Sequence, residues 1–206
     1  MASLVFEKAL TETAAGVERT LDHLLPPPQG PEARVIEAMR YGALNGGKRF
    51  RAFLAHQGAK LFAMDDERSL RLAAAIECVH AYSLIHDDLP CMDDDDMRRG
   101  KPSAHRAFDE ATAVLAGDAL LTLAFEILAD PATHEDARVR ADLVLGLSRA
   151  GGALGMVGGQ MIDMASAGED LAIGPLTRMH QLKTGALIAF SCEGGAILGH
   201  ASPSAR

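Results

Sequence analysis

Apolar residues recur at three- and four-residue intervals along nearly the whole chain, and the period-two alternation of Val, Ile and Thr that marks strands is absent. The pattern predicts an all-α protein built on Ala, Leu and Met. A first amphipathic helix covers about 3–25, with Leu4, Leu10, Val17, Leu21 and Leu24 apolar, and Pro26-Pro27-Pro28 ends it. Pro31 suits the first turn of a second helix, which carries Val35, Ile36, Met39 and Leu44 and stops at Asn45-Gly46-Gly47. A third runs from about Arg49 to Phe62. A fourth spans roughly 66–89; from Leu70 to Ile85 it is apolar on most faces and is expected to be buried. Further helices cover about 104–129, ended by Asp130-Pro131, and about 135–150. Five glycines at 151, 152, 155, 158 and 159 follow; each costs helix stability, so close approach to another helix or to a ligand is the expected reason for them. Pro175 opens a last helix to about Gly199. With no repeat and no linker, the chain reads as a single all-α domain over 1–206.

Composition changes this picture little. Of the 206 residues, 48% are hydrophobic, which excludes disorder, and the net charge of −8 gives no support to nucleic-acid binding. Cys78, Cys91 and Cys192 are odd in number and form no C-x-x-C pair, which argues against a disulfide framework or zinc knuckle and fits a reducing cytoplasm. The most apolar stretches, 111–129 and 185–200, are interrupted by Asp118, Glu126 and Glu193, and neither reads as a membrane span.

The charge pattern changes it more. Six of the acids fall between Asp87 and Asp96, and Arg98, Arg99 and Lys101 follow at once. Carboxylates this close repel one another unless a cation neutralises them. Hard divalent cations such as Mg²⁺ take oxygen ligands and share them with phosphate, and the arginines suit the same phosphate oxygens. The D-x-D-x-D-G order and terminal Glu of an EF-hand are absent. His80 precedes Asp87 by two helical turns on one face, and Ser83 by one turn, with Tyr82 beside it. Five residues of helix rise about 7 Å. A ligand with its head at Asp87 and its tail along this helix therefore meets Tyr82 and Ser83 first, then alanines and leucines: a charged mouth over an apolar well. Lys48 and Arg51, one turn apart after the Gly-Gly turn, can converge on one anion.

The residues now carry a resemblance. Asp87-Asp88-Leu89-Pro90-Cys91-Met92-Asp93, continuing through Arg98-Arg99-Gly100-Lys101-Pro102, resembles the first aspartate-rich motif of the trans-isoprenyl diphosphate synthases, most closely the bacterial farnesyl diphosphate synthases. Tyr41 to Arg51 resembles their Gly-Gly-Lys-x-x-Arg element, and Glu77 to Asp88 their approach helix. Leu115 to Leu120, Gly158-Gly159-Gln160 with Asp163, and His180 with Lys183-Thr184-Gly185 match later blocks in order.

The resemblance implies an isoprenoid-synthase-type helical bundle around a central cavity, acting as a homodimer. It implies Mg²⁺-dependent head-to-tail condensation of isopentenyl diphosphate with an allylic diphosphate (dimethylallyl or geranyl). Asp87 and Asp93, assisted by Asp88, would hold several Mg²⁺ ions that bridge to the allylic diphosphate, and Arg98 would bind that diphosphate. Lys48, Arg51, His80 and Arg99 match the positions that hold isopentenyl diphosphate. Lys183 and Thr184 match residues near the allylic site, and Gln160 and Asp163, a turn apart, would line the cavity or hold a second shell. Tyr82 occupies the chain-length floor of short-chain members, with small Ser83 leaving room for a ten-carbon substrate, so farnesyl diphosphate is the expected product. Asp94, Asp95 and Asp96 are expected in the second shell or solvated, and Asp118 buried in a structural role.

One departure stands out. The family's second motif, Asp-Asp-x-x-Asp, has no match here; after Asp163 the acids are Glu169, Asp170 and Glu193. The expectation is that 1–206 is the N-terminal portion of a longer family domain, its C-terminal helices and remaining metal ligands lying beyond Arg206. A short non-catalytic subunit that binds substrate or a partner synthase is the alternative; both metal aspartates and every diphosphate cation being present argues against it. A class I terpene cyclase shares the metal motif but has no use for Lys48, Arg51 and His80.

Overall fold

A computed structural model of the chain describes residues 2–168 and 170–206, so Glu169 lies outside the described residues. Among the described residues the regular elements are helices apart from one hairpin of two-residue strands. The helices are α1 (Ala2–Leu24), α2 (Ala33–Ala43), α3 (Phe50–Lys60), α4 (Asp66–Asp87), α5 (Ala104–Ala107), α6 (Glu110–Ala129), α7 (Ala137–Gly151), α8 (Met156–Ala165), α9 (Ile173–His180) and α10 (Ala186–Leu198). Strands β1 (Met97–Arg98) and β2 (Lys101–Pro102) pair antiparallel, Met97 opposite Pro102. The all-α reading holds.

The chain groups into two compact units whose boundary runs through α3, α4 and α6. The first comprises 1–53 and 73–127. In it α1 buries Val17, Leu21 and the following Leu25, while Phe6 meets Phe53 edge to face with ring centres 5.3 Å apart. Every residue from Ala73 to Val79 on α4 is buried, as the apolar run on that helix predicts. The predicted helix over 104–129 is two helices. Phe108 breaks it, and Asp109 caps the second: its Oδ1 accepts from the Thr112 amide (2.7 Å) and its Oδ2 from the Thr112 hydroxyl and the Arg34 guanidinium.

α6 has the length and apolar content to cross a membrane. It also carries Glu110, Asp118 and Glu126, and buries Ala113, Ala116, Leu120, Ala124 and Ile127 within the protein, the stripe of a core helix. Asp118 departs from expectation: its side chain is exposed, 4.0 Å from the His86 imidazole, because it falls opposite that stripe.

The second unit comprises 54–72 and 128–206. Here α7 buries Val139, Leu143 and Leu147, and α10 buries Leu187, Phe190, Ile197 and Leu198. The predicted last helix from Pro175 begins two residues earlier, Pro175 falling in the first turn where its missing N–H costs nothing. It also has a π-helical turn, Gln181–Gly185, in its middle. The glycine-dense stretch splits into a turn and α8. At Gly159 a Cβ would collide with the backbone of Leu182 and Lys183, so close helix approach is the reason for that glycine.

Candidate active site

The turn between α2 and α3 is built around an arginine. Gly46 and Gly47 both have positive φ (66° and 115°), and a Cβ on Gly47 would stand 2.6 Å from the Arg99 guanidinium, whose Nη1 donates to the Gly46 carbonyl. Only glycine satisfies both the dihedral and the close approach. α3 begins at Phe50, so Lys48 and Arg49 end the turn and Arg51 stands in the first turn of the helix; Lys48 and Arg51, expected one helical turn apart, are not on one helix because Arg49 between them is left-handed.

Asn45, Gly47, Lys48, Arg49, Phe50, Arg51, Glu77, His80 and Arg99 line one open cavity of about 590 Å³. The sequence placed Lys48, Arg51, His80 and Arg99 on one anion, and these four residues do line a single cavity. It missed Arg49 and Glu77, which form a buried ion pair: Arg49 Nη1 donates to Glu77 Oε2 at 2.9 Å, both side chains being 3% exposed. Glu77 as the one acid in the apolar run from Leu70 to Ile85 is the hint the sequence offered.

The electrostatics favour an anion. Burial lowers the basicity of Arg51, with Glu77 partly restoring it, and burial and the neighbouring Arg49 charge do the same to Arg99. His80 is pushed down to about 3, first by burial and then by Arg51, Arg99, Arg49 and Arg98, so its imidazole is neutral near pH 7. The buried Nε atoms of Arg49 and Arg51 have no hydrogen-bond partner. A cavity with concentrated, incompletely satisfied positive charge is one an oxyanion would stabilise.

The aspartates divide. Asp88 is buried and held by Arg98: Arg98 Nε lies 3.1 and 3.2 Å from its two oxygens, and Nη2 donates to Oδ1 as well. That hydrogen bond raises the basicity of Arg98 above its ordinary value despite burial. Asp87 is half-buried and Asp93 exposed, and the Asp93 amide donates to the Asp87 carbonyl (2.8 Å), so the turn after α4 brings these two residues together. Their oxygen donors fit a hard divalent cation. Asp96 pairs with Arg106, and Asp95 with Arg98. Asp94, Asp96 and His105 each place one ligand atom within 4.8 Å of the others, a juxtaposition invisible before β1 and β2 fold back.

Tyr82 is buried on α4 and stacks edge to face on His86 (5.5 Å between ring centres), whose Nε2 lies 3.0 Å from the Val114 carbonyl on α6. Burial and Asp87 raise its phenol above the usual range. Ser83 is half-buried and donates to the His80 carbonyl at 2.9 Å. In the second unit, Lys183 and Thr184 lie on the π-helical turn and Lys183 pairs with Asp163 of α8. Both nitrogen and oxygen of the Gln160 amide are buried without a partner.

Residues 32–206 match the polyprenyl synthetase family. The chain is 45% identical over 193 residues to the farnesyl diphosphate synthase of Escherichia coli, covering 93% of this chain and 64% of that protein. It is 42% identical over 205 residues to the farnesyl diphosphate synthase of Geobacillus stearothermophilus, covering 98% of this chain and 68% of that one. A crystal structure of an FPP/GFPP synthase from Zymomonas mobilis superposes with a TM-score of 0.95 at 48% identity, over 98% of this chain and 74% of the other. The chain thus spans about two thirds of the length of these curated relatives. A match over 175 residues, with relatives this similar along nearly the whole chain, makes it a member of the polyprenyl synthetase family.

Proposed function

We propose that this chain serves the head-to-tail condensation of isopentenyl diphosphate with dimethylallyl or geranyl diphosphate, giving farnesyl diphosphate for isoprenoid biosynthesis. The observation that carries the reading is the single cavity lined by Lys48, Arg51, His80 and Arg99. Three permanent cations and a neutral imidazole donor match a diphosphate bearing several negative oxygens. The relatives named farnesyl diphosphate synthase support the same substrate class.

In this reading the cavity fixes isopentenyl diphosphate so that its double bond faces the allylic C1. The allylic carbon–oxygen bond breaks with its electron pair leaving on diphosphate, a carbon–carbon bond forms to isopentenyl, and one proton is lost. Asp87 and Asp93 would hold Mg²⁺, which when bound neutralises the departing diphosphate. Asp88 keeps the Arg98 guanidinium aimed at that diphosphate and, with acceptor sites left on its carboxylate, would assist Asp87 and Asp93 at the metal. Lys183 and Thr184 would add a cation and a hydroxyl at the allylic end. Tyr82, braced by His86, stops the growing tail near fifteen carbons. The working protein is read as a cytoplasmic homodimer.

The test is a Mg²⁺-dependent assay with isopentenyl and geranyl diphosphates, with intact mass of the protein and chain length of the product measured together. Farnesyl diphosphate formed only with Mg²⁺ present is expected. Failure to bind either diphosphate would sink the proposal.

A further inference from the structure

The Arg49–Glu77 pair lines the same cavity as Lys48, Arg51, His80 and Arg99. Arg49 has φ +50°, a left-handed conformation that a non-glycine residue adopts only when its surroundings hold it there. Its guanidinium reaches three ways: Nη1 to Glu77 Oε2 at 2.9 Å, Nη2 to the Ala43 carbonyl at 2.7 Å, and Nη2 to within 3.7 Å of Glu18. Ala43 is the last residue of α2, so a cation meets the negative end of that helix. Glu77, in the middle of α4, uses its second oxygen to accept from the Ala52 amide (3.4 Å) in the first turn of α3. An anion thus meets the positive end of α3 and satisfies one of its orphan donors. The pair ties the end of α2, the start of α3 and the middle of α4 around residues 44–49.

We infer that Arg49 and Glu77 form a clamp that holds Lys48 and Arg51 in their diphosphate-binding arrangement, with Arg49 a positioning residue and not a ligand. The inference rests on the proposed function and deepens it. Lys48 directly precedes the clamped residue and follows the two positive-φ glycines Gly46 and Gly47, and Arg51 stands two residues after it in the first turn of α3. A buried carboxylate inside an anion site is unfavourable for the ligand. Its presence makes sense if it is spent on Arg49, leaving the neighbouring cations for substrate.

The test exploits the pair's neutrality. Arg49→Met combined with Glu77→Met removes one charge of each sign, so the cavity's net charge is unchanged and any affinity change reports position. Inorganic pyrophosphate and isopentenyl diphosphate are titrated calorimetrically in EDTA, so that metal at the aspartates contributes nothing, while melting is followed in parallel. The expected result is at least about a tenfold weaker Kd at a melting temperature close to that of the unaltered protein. Arg49→Lys keeps the charge but cannot fork between Glu77 and Ala43, and should weaken binding in the same direction by less. It decides the matter if the double variant does not fold. Unaltered binding in Arg49→Lys or in a folded double variant, with Arg51→Gln strongly impaired, would overturn the clamp and leave the proposed function standing. An unaltered protein that binds neither ligand would remove both.

Discussion

Two charged regions of the first unit handle the same problem in opposite ways. Beside the exposed Lys48, burial lowers the basicity of Arg51 and Arg99 and holds His80 neutral. Around Asp93 to Asp96 the carboxylates are exposed, and those with cation partners find them in arginines at the surface. In the first region the buried Arg49–Glu77 ion pair lies among the cations that line the cavity. The second is a turn whose carboxylates are exposed. The contrast suits the ligands. A diphosphate must find its donors already placed, whereas a hydrated metal ion brings most of its own ligands.

The contrast can be broken from the acidic side with the largest effect. Asp93→Ala should cost about a thousandfold or more in Mg²⁺-dependent turnover while leaving pyrophosphate binding in EDTA unchanged, since several kcal/mol of charge stabilisation depend on the metal. Equal losses in both assays would show that the regions are not separate. From the cationic side, Arg51→Gln should weaken isopentenyl diphosphate by roughly 10- to 100-fold, the worth of one charge-assisted hydrogen-bonding group. Retained affinity would remove Arg51 from the site. Tyr82→Ala should leave both affinities alone and lengthen the product; an unchanged spectrum, read by mass spectrometry, would refute the floor.

The smallest effects are on stability and have opposite molecular origins. His80 is neutral in the folded chain, with its value at about 3 against 6.5 unfolded, so protonation favours unfolding and stability should fall as pH drops from about 6.5 toward 3. An NMR titration should show its ring unprotonated at pH 5. Asp109, held at about 2 by the Arg34 and Thr112 hydrogen bonds, contributes stability that is complete above its unfolded value near 4 and lost as pH falls through 2. Asp109→Asn should flatten the melting curve only below pH 4.

Local chemistry made much of this legible. The buried run on α4, the proline and glycine stops, and the aspartate and basic clusters each depend on neighbours within a turn or two, which a sequence displays directly. Lys48 and Arg51 could be read as a pair from their closeness after the Gly-Gly turn, but Lys48 lies before α3, so it is the fold and not helical spacing that puts both on one cavity. Asp88 is different. By sequence it is one more aspartate in the cluster; only the fold-back of β1 and β2 brings Arg98 onto it. Asp118 was misjudged because its neighbours are apolar on all sides of the sequence but not of the helix. The helix over 104–129 was misjudged because nothing near Phe108 signals a break; the cap at Asp109 depends on Arg34 from 75 residues away.

The sequence by itself determined the helical class, the placing of charge in two clusters and the family, because periodicity and motif spacing are short-range properties written in residue order. The tertiary structure alone decided which charges line the cavity and which pair with one another. Glu77 and Arg49 lie 28 residues apart and Asp88 and Arg98 lie 10 apart, and each pair forms only when the elements carrying it are packed. Desolvation then fixes their roles, since a charge taken out of water must find its partner within the fold.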